Sequence, residues 1–228
     1  MFEVVDKMSR YQRILELSDF KKEDLSLLES KKVLLIGVGG VGQNVATSLI
    51  TNGIKHLTIV DFDHVELSNL NRQILLKEED IGKEKVQVVL KELVKRNSDA
   101  DIFAFHLRVD ESNVNQLVQG YDIVIDAVDN WKTKIILASA CKKNKIPFLH
   151  IGVDGYRGQY CLFKKKHFDS VFPSQIQEEP RDGVLGPMVA VIANLASLYL
   201  LRYLLHQEEC DILYYFDMKT AQLGHVSL

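Results

Sequence analysis

From residue 32 onward, short apolar runs alternate with longer stretches whose apolar positions recur every three or four residues. The runs at 33–36, 57–61, 102–107, 123–126 and 148–151 predict strands, several of them apolar enough to be buried on both faces. The stretches at 41–51, 83–95, 112–119 and 132–143 have helical periodicity, and each supplies a crossover between parallel neighbours. This alternation predicts an α/β fold: a Rossmann-like, doubly wound, mainly parallel sheet with helices on both faces.

After His150 the alternation stops. Residues 155–163 predict a strand leaving a turn, and 164–182 a polar, mobile loop. Residues 186–205 predict a long apolar helix entered through Gly186-Pro187. Two further runs, 212–216 and 222–226, flank a short polar turn and predict a hairpin, so the C-terminal strands are expected to be antiparallel.

Composition refines this picture without changing it. The 228 residues suit one unit with its own core. A hydrophobic content of 46%, a charged content of 26% and a net charge of -3 lack the basic excess that favours nucleic-acid partners. Asp6, Lys7, Arg10 and Arg13 stand where an export signal needs apolar residues, so the expected location is cytoplasmic. The stretch 188–205 approaches membrane-spanning length, but Asn194, Ser197 and Arg202 interrupt it, and burial in the core or at a subunit interface is expected. Cys141, Cys161 and Cys210 lie far apart, with no C-x-x-C pair and no evident cationic neighbourhood; inert packing is expected for all three.

The chemistry begins at Gly37-Val38-Gly39-Gly40-Val41-Gly42, between the first strand and the first helix of the alternation. Backbone N–H groups and a helix N-terminus converge there on a site for an anion. Asp61 closes the second strand about 20 residues later, the spacing at which a carboxylate reaches ribose hydroxyls in dinucleotide-binding folds. Together these features predict an adenosine site but do not separate NAD from ATP. The segment from Asp63 through Ser68, Asn69, Arg72 and Gln73, with Lys85 soon after Gly82, carries the donors and cations that a triphosphate needs. Taken singly, Asn69 and Arg72 also fit loop bracing. Asp126-Ala127-Val128-Asp129-Asn130 ends the fourth strand at the carboxyl edge of the sheet, where open α/β folds bind ligands. Asp129 suits Mg²⁺, which takes few protein carboxylates and fills its other sites with phosphate and water. Asn130 fits a helix cap and a ligand contact equally well.

In this order, Arg10-Tyr11-Gln12-Arg13, the glycine turn, Asp61-Phe62-Asp63, Ser68-Asn69-Leu70-Asn71-Arg72-Gln73, Lys85, Asp126 to Asn130 and Gly183-Val184-Leu185-Gly186-Pro187 resemble the ThiF/MoeB family, relatives of the ubiquitin-activating enzymes. The resemblance implies a single adenylation domain. Its parts would be a helical arm over 1–30, a nucleotide-binding core over 31–152, and a crossover loop, apolar helix and hairpin over 153–228. It implies that Gly37, Gly39, Gly40 and Gly42 cradle the nucleotide and that Asp61 holds the ribose. Asn69, Arg72 and Lys85 would contact the phosphates, and Asp129 the Mg²⁺, with Asp63, Ser68 and Asn130 in the same nucleotide set. Arg13 would reach the ATP site of the second subunit of a homodimer. The implied reaction is ATP-dependent adenylation of a carboxylate at the C-terminus of a small ubiquitin-like sulfur carrier. Other branches imply a peptide C-terminus, a carboxylate on a modified tRNA base, or a non-catalytic dimeric scaffold.

Two departures matter. Many relatives carry two C-x-x-C pairs for a structural zinc, whereas this region reads Phe163-Lys164-Lys165-Lys166-His167-Phe168, so no structural zinc is expected. The loop 164–182 has no cysteine to take the carrier onward, and the expected chemistry stops at the acyl-adenylate.

Overall fold

The computed structural model describes residues 10–172 and 183–228. Among these residues eight strands form one mixed sheet: β1 (Lys32–Ile36), β2 (His56–Asp61), β3 (Asp101–His106), β4 (Ile123–Asp126), β5 (Phe148–Asp154), β6 (Arg157–Phe163), β7 (Ile212–Asp217) and β8 (Gln222–Ser227). Their spatial order is β3-β2-β1-β4-β5-β6-β7-β8. The first five pair in parallel, and β6, β7 and β8 add antiparallel strands. The helices are α1 (Gln12–Leu15), α2 (Lys22–Glu29), α3 (Gly40–Thr51), α4 (Lys85–Arg96), α5 (Val114–Leu117), α6 (Trp131–Asn144) and α7 (Gly186–Leu204).

Both faces of the sheet are covered, which is why its central strands are apolar runs rather than alternating ones. Along β1, Val33 and Leu35 point into a core shared with α3, α4 and α7, while Leu34 and Ile36 point into a second core shared with α6. The helix α7 is long and apolar enough to cross a membrane, yet it buries Met188, Val189, Ile192, Ala193, Ala196 and Leu200 against the sheet and α3. Val191 and Leu198 on its other side are exposed.

The expected helix over 112–119 shrinks to the four residues of α5. Asp110 accepts hydrogen bonds from the Ser112 backbone and hydroxyl, holding 110–113 in a turn, and Gly120 ends the element at φ +83°. The helix expected from residue 83 begins at Lys85, because the Val65 N–H donates to the Lys83 carbonyl and binds that stretch to the preceding loop. The expected mobile loop over 164–182 is corrected in its first half. Phe168 is buried among Phe148, Phe163 and Phe172, and the backbone N–H groups of Lys164, Lys165 and Lys166 all donate to Asp211 at 2.9–3.1 Å. Residues 173–182 of that expectation, and the N-terminal arm before residue 10, lie outside the described residues.

Asp211 holds its side chain in place from a left-handed backbone position, φ +62°. Burial alone would raise its carboxyl, but the three amides and Cys210 outweigh burial and hold it below the ordinary value. A carboxyl depressed in the folded state contributes stability above its unfolded pKa, and that contribution is lost as pH falls through the folded value. Asp211→Ala should therefore cost about 2–4 kcal/mol in urea unfolding at pH 7, since several amides lose one acceptor. The difference from wild type should shrink toward pH 3; an unchanged midpoint at pH 7 would contradict this account.

Candidate active site

The carboxyl ends of β1 and β4 lie side by side where successive crossovers diverge, the place at which open α/β sheets bind ligands. Two close approaches shape it. Gly37 has φ +89°, and a Cβ there would sit 2.8 Å from the Ala127 carbonyl oxygen. A Cβ on Gly42 would collide with the Gly37 carbonyl, so the first turn of α3 can pack on the loop only as glycine. The result is a chain reversal that leaves the N-terminus of α3 facing open space.

That space is a cavity of about 1490 Å³. The Gly39 and Gly40 backbone, Asp61, Asp63, Ser68, Asn69, Arg72 and Lys85 border one side. Asp129, Asn130, Trp131, Lys134 and His150 border the middle, and Asp154, Arg157, Gln159, Tyr215 and Asp217 the far side. Gly37 is in its lining as well, whereas Gly42 faces the Gly37 turn.

Asp61 is buried at the end of β2, where its two oxygens accept N–H groups from Val38 and Asp63, each at 2.8 Å. Burial pushes its carboxyl above the ordinary value, against the pull of Lys85 and these two amides. Asp61 thus ties the glycine loop to β2 and keeps lone pairs for a ligand in the cavity. Asp63 pairs with Lys85 at 2.9 Å, and the Lys85 N–H donates to the Asp63 carbonyl. A cation in the first turn of a helix opposes the helix dipole. Burial of Lys85 at 5% side-chain exposure is sustained by this carboxylate.

The next segment wraps on itself. The Asn69 oxygen accepts the Glu66 N–H at 3.2 Å, and Ser68 donates to the Glu66 carboxylate at 3.2 Å. The Arg72 guanidinium donates to the Ser68 carbonyl and the Asn71 side chain, each at 2.9 Å. Both residues brace the loop while they border the cavity, and Arg72 retains further donors. The alternatives for Asn130 are resolved for its oxygen, which caps α6 by accepting the Thr133 N–H at 2.8 Å. Asp129 is exposed to the cavity between β4 and α6. Arg13 is not brought there: its side chain is 92% exposed and pairs with Glu16 at 2.8 Å.

Three contributors escaped the sequence reading. Gln43, fully buried in α3, donates to the Val38 carbonyl and to Gln73, and it accepts the Leu75 N–H at 2.9 Å. A glutamine on the inner face of an apolar helix was the available signal. Lys134 and His150 both reach the buried Asp126 carboxylate, at 2.8 and 2.9 Å. Burial would raise Asp126, but Lys134 and His150 hold it below the ordinary range; burial, helped by Lys134, lowers His150. No cluster of three or more metal-ligating side chains occurs among the described residues.

Comparison with known proteins agrees with this fold. The model of the ThiF family matches residues 11–227. The molybdopterin-synthase adenylyltransferase of Salmonella typhimurium is 28% identical over all of this chain and 96% of its own length. The SAMP-activating enzyme E1 of Haloferax volcanii is 29% identical over 89% of this chain and 78% of its own length. A Zea mays adenylyltransferase and sulfurtransferase, MOCS3-1, is 31% identical over 98% of this chain, which spans about half of that protein. Among solved structures, E. coli MccB with AMPCPP and MccA superposes with a TM-score of 0.82 at 21% identity, over 97% of this chain and 72% of MccB, a likeness of fold. The chain therefore belongs to the ThiF family and is an enzyme of the nucleotidyltransferase class that its named relatives represent.

Proposed function

We propose that this chain adenylates the C-terminal carboxylate of a small ubiquitin-like sulfur-carrier protein, consuming ATP and releasing pyrophosphate. The observation that carries the reading is the size and asymmetry of the cavity. At about 1490 Å³ it exceeds the roughly 300–1,000 Å³ common for one small ligand. Glycine backbone, a helix N-terminus and cations border one side, and strands β5 to β7 border the other. A nucleotide on the first side and an extended tail on the second would meet at the end of β4. The relatives named for molybdopterin synthase and for SAMP activation support a carrier as the tail's owner.

The chemistry needs charge control more than proton transfer. A terminal carboxylate is already ionised at neutral pH, so its oxygen attacks the α-phosphorus directly while the bond to pyrophosphate breaks. The obstacle is bringing an anion to a polyanion. The loop amides and the dipole of α3 take the phosphates, Asp61 the ribose, and Arg72, Lys85 and Asn69 the developing charge. Asp129 would hold Mg²⁺; one exposed carboxylate in the lining fits that ion, which takes one or two carboxylates and shares phosphate oxygens. When bound, Mg²⁺ neutralises phosphate charge.

The cysteines support a product that stays an acyl-adenylate. Burial raises all three thiols, Cys141 to about 12, so none is a thiolate at neutral pH. The exposed Val191 and Leu198 of α7 support a homodimer, in which Arg13 serves the partner's site. The workplace of such an enzyme is the cytoplasm.

With a carrier ending in a free glycine carboxylate, the protein should catalyse carrier-dependent exchange between pyrophosphate and ATP. Arg72→Ala should lose about a hundredfold or more, the scale of one transition-state donor, whereas single alanine variants of Cys141, Cys161 and Cys210 should keep exchange. Tight ATP binding without exchange, across small carriers and short peptides, would move the chain to the scaffold reading. Asp129→Asn should bind ATP but lose the magnesium-dependent rate; an intact rate at saturating Mg²⁺ would remove Asp129 from this role. Mixing inactive Arg13→Ala and Arg72→Ala proteins should restore activity through exchanged subunits, and absence of rescue would place Arg13 outside the partner's site.

A further inference from the structure

The cavity contains a cation to which the reaction above assigns no task. Lys134 is 95% buried in the first turn of α6, where lost hydration and the helix dipole both disfavour positive charge. Its ion pair with Asp126 is a poor explanation for its presence, since a buried pair gains little over apolar packing. The ammonium has three N–H groups. One donates to Asp126 Oδ2 at 2.8 Å and one to the Ile151 carbonyl at 3.0 Å, while no acceptor for the third occurs among the described residues. Lys134 borders the cavity, and β4, which leads into α6, lies between β1 with its glycine loop and the β5–β7 side. That is the meeting point required of a nucleotide and a tail.

We propose that Lys134 is a further catalytic residue whose third N–H holds the terminal carboxylate of the substrate. The inference rests on the reading that this cavity takes ATP and a carboxylate tail. Asp126 and the Ile151 carbonyl fix the ammonium from behind, so the remaining donor points to one substrate oxygen and leaves the other to attack. As the O–P bond forms and the bond to pyrophosphate breaks, Lys134 keeps all its protons. Its hydrogen bond selects an acceptor-only carboxylate over an amide, whose NH₂ would face a donor.

The test uses full-length protein saturated with AMPCPP, titrated calorimetrically with an N-acetylated hexapeptide ending in Gly-Gly, as the free acid and as the C-terminal amide. Wild type should prefer the acid by about tenfold or more, the scale of a charge-assisted hydrogen bond. Asp126→Asn/Lys134→Met removes both charges, so no buried carboxylate is left unpaired. It should bind the two peptides alike and hold AMPCPP within about threefold of wild type, and Lys134→Arg should regain part of the preference. Should that double variant not fold, Asp126→Asn/Lys134→Leu removes the same two charges and gives the same comparison. A preference for the acid that persists without the lysine overturns the proposal, as does equal affinity in wild type. If wild type shows no preference but carrier-dependent exchange is present, Lys134 alone loses its role. If neither peptide binds and exchange is absent, the carboxylate reading falls with it.

Discussion

The site depends on a steric constraint: there is no room for a side chain between the glycine turn and the end of β4. With a Cβ on Gly37 only 2.8 Å from the Ala127 carbonyl, the two strand ends close up and their loops open onto one space. Separation of β1 from β4 would put the glycine loop and Asp129 in different clefts. The Asp61 carboxylate fixes the same turn from the β2 side through the Val38 N–H, and Gln43 fixes it to the arginine-bearing segment. Three adjacent strands thus contribute to one cavity because a single loop can approach all of them.

Charge is arranged on that frame by pairing. Lys85 with Asp63 and Lys134 with Asp126 are both cation–carboxylate pairs in which the lysine is almost wholly buried. Such pairs contribute little net stability, and what they do is hold two ammonium groups dry and immobile at the cavity wall. Arg72 differs. Its guanidinium is folded onto the Ser68 carbonyl and Asn71, contacts that a phosphate can replace.

Much of this was legible in the sequence, for reasons specific to each part. The five parallel strands are apolar because both faces are covered, and a glycine turn between strand and helix admits few other readings. Asp61, Asp63, Asn69, Arg72 and Asp129 belong to strand ends or to loops facing the cavity, Lys85 opens α4, and local order in the chain announces all six. Asn69 and Asn130 showed the limit of this reading, since each serves as a cap and a cavity wall together. Lys134 and His150 were hidden because their chemistry exists only across the sheet, with Asp126 bringing together residues 8 and 24 positions away. The short α5 was misread for a local reason: Ser112 and Asn113 serve the turn at Asp110 instead of extending the helix.

The segment after β6 shows how one carboxylate can fix a loop, the task that a structural zinc performs where paired cysteines are present. Tetrahedral thiolate ligands would tie two distant stretches through a metal. Here Asp211, at the entry to β7, collects three successive amides of Lys164, Lys165 and Lys166, and its own N–H donates to the Leu162 carbonyl at 2.8 Å. These bonds join the end of β6 to the start of β7, and the chain is directed so that Phe168 enters the core beside Trp131, which borders the cavity. A knot of hydrogen bonds to one carboxylate is sensitive to acid, whereas a thiolate site is sensitive to chelators and oxidants. Acid therefore loosens this loop first, and because Phe168 packs on Trp131, loosening it reaches the wall of the cavity.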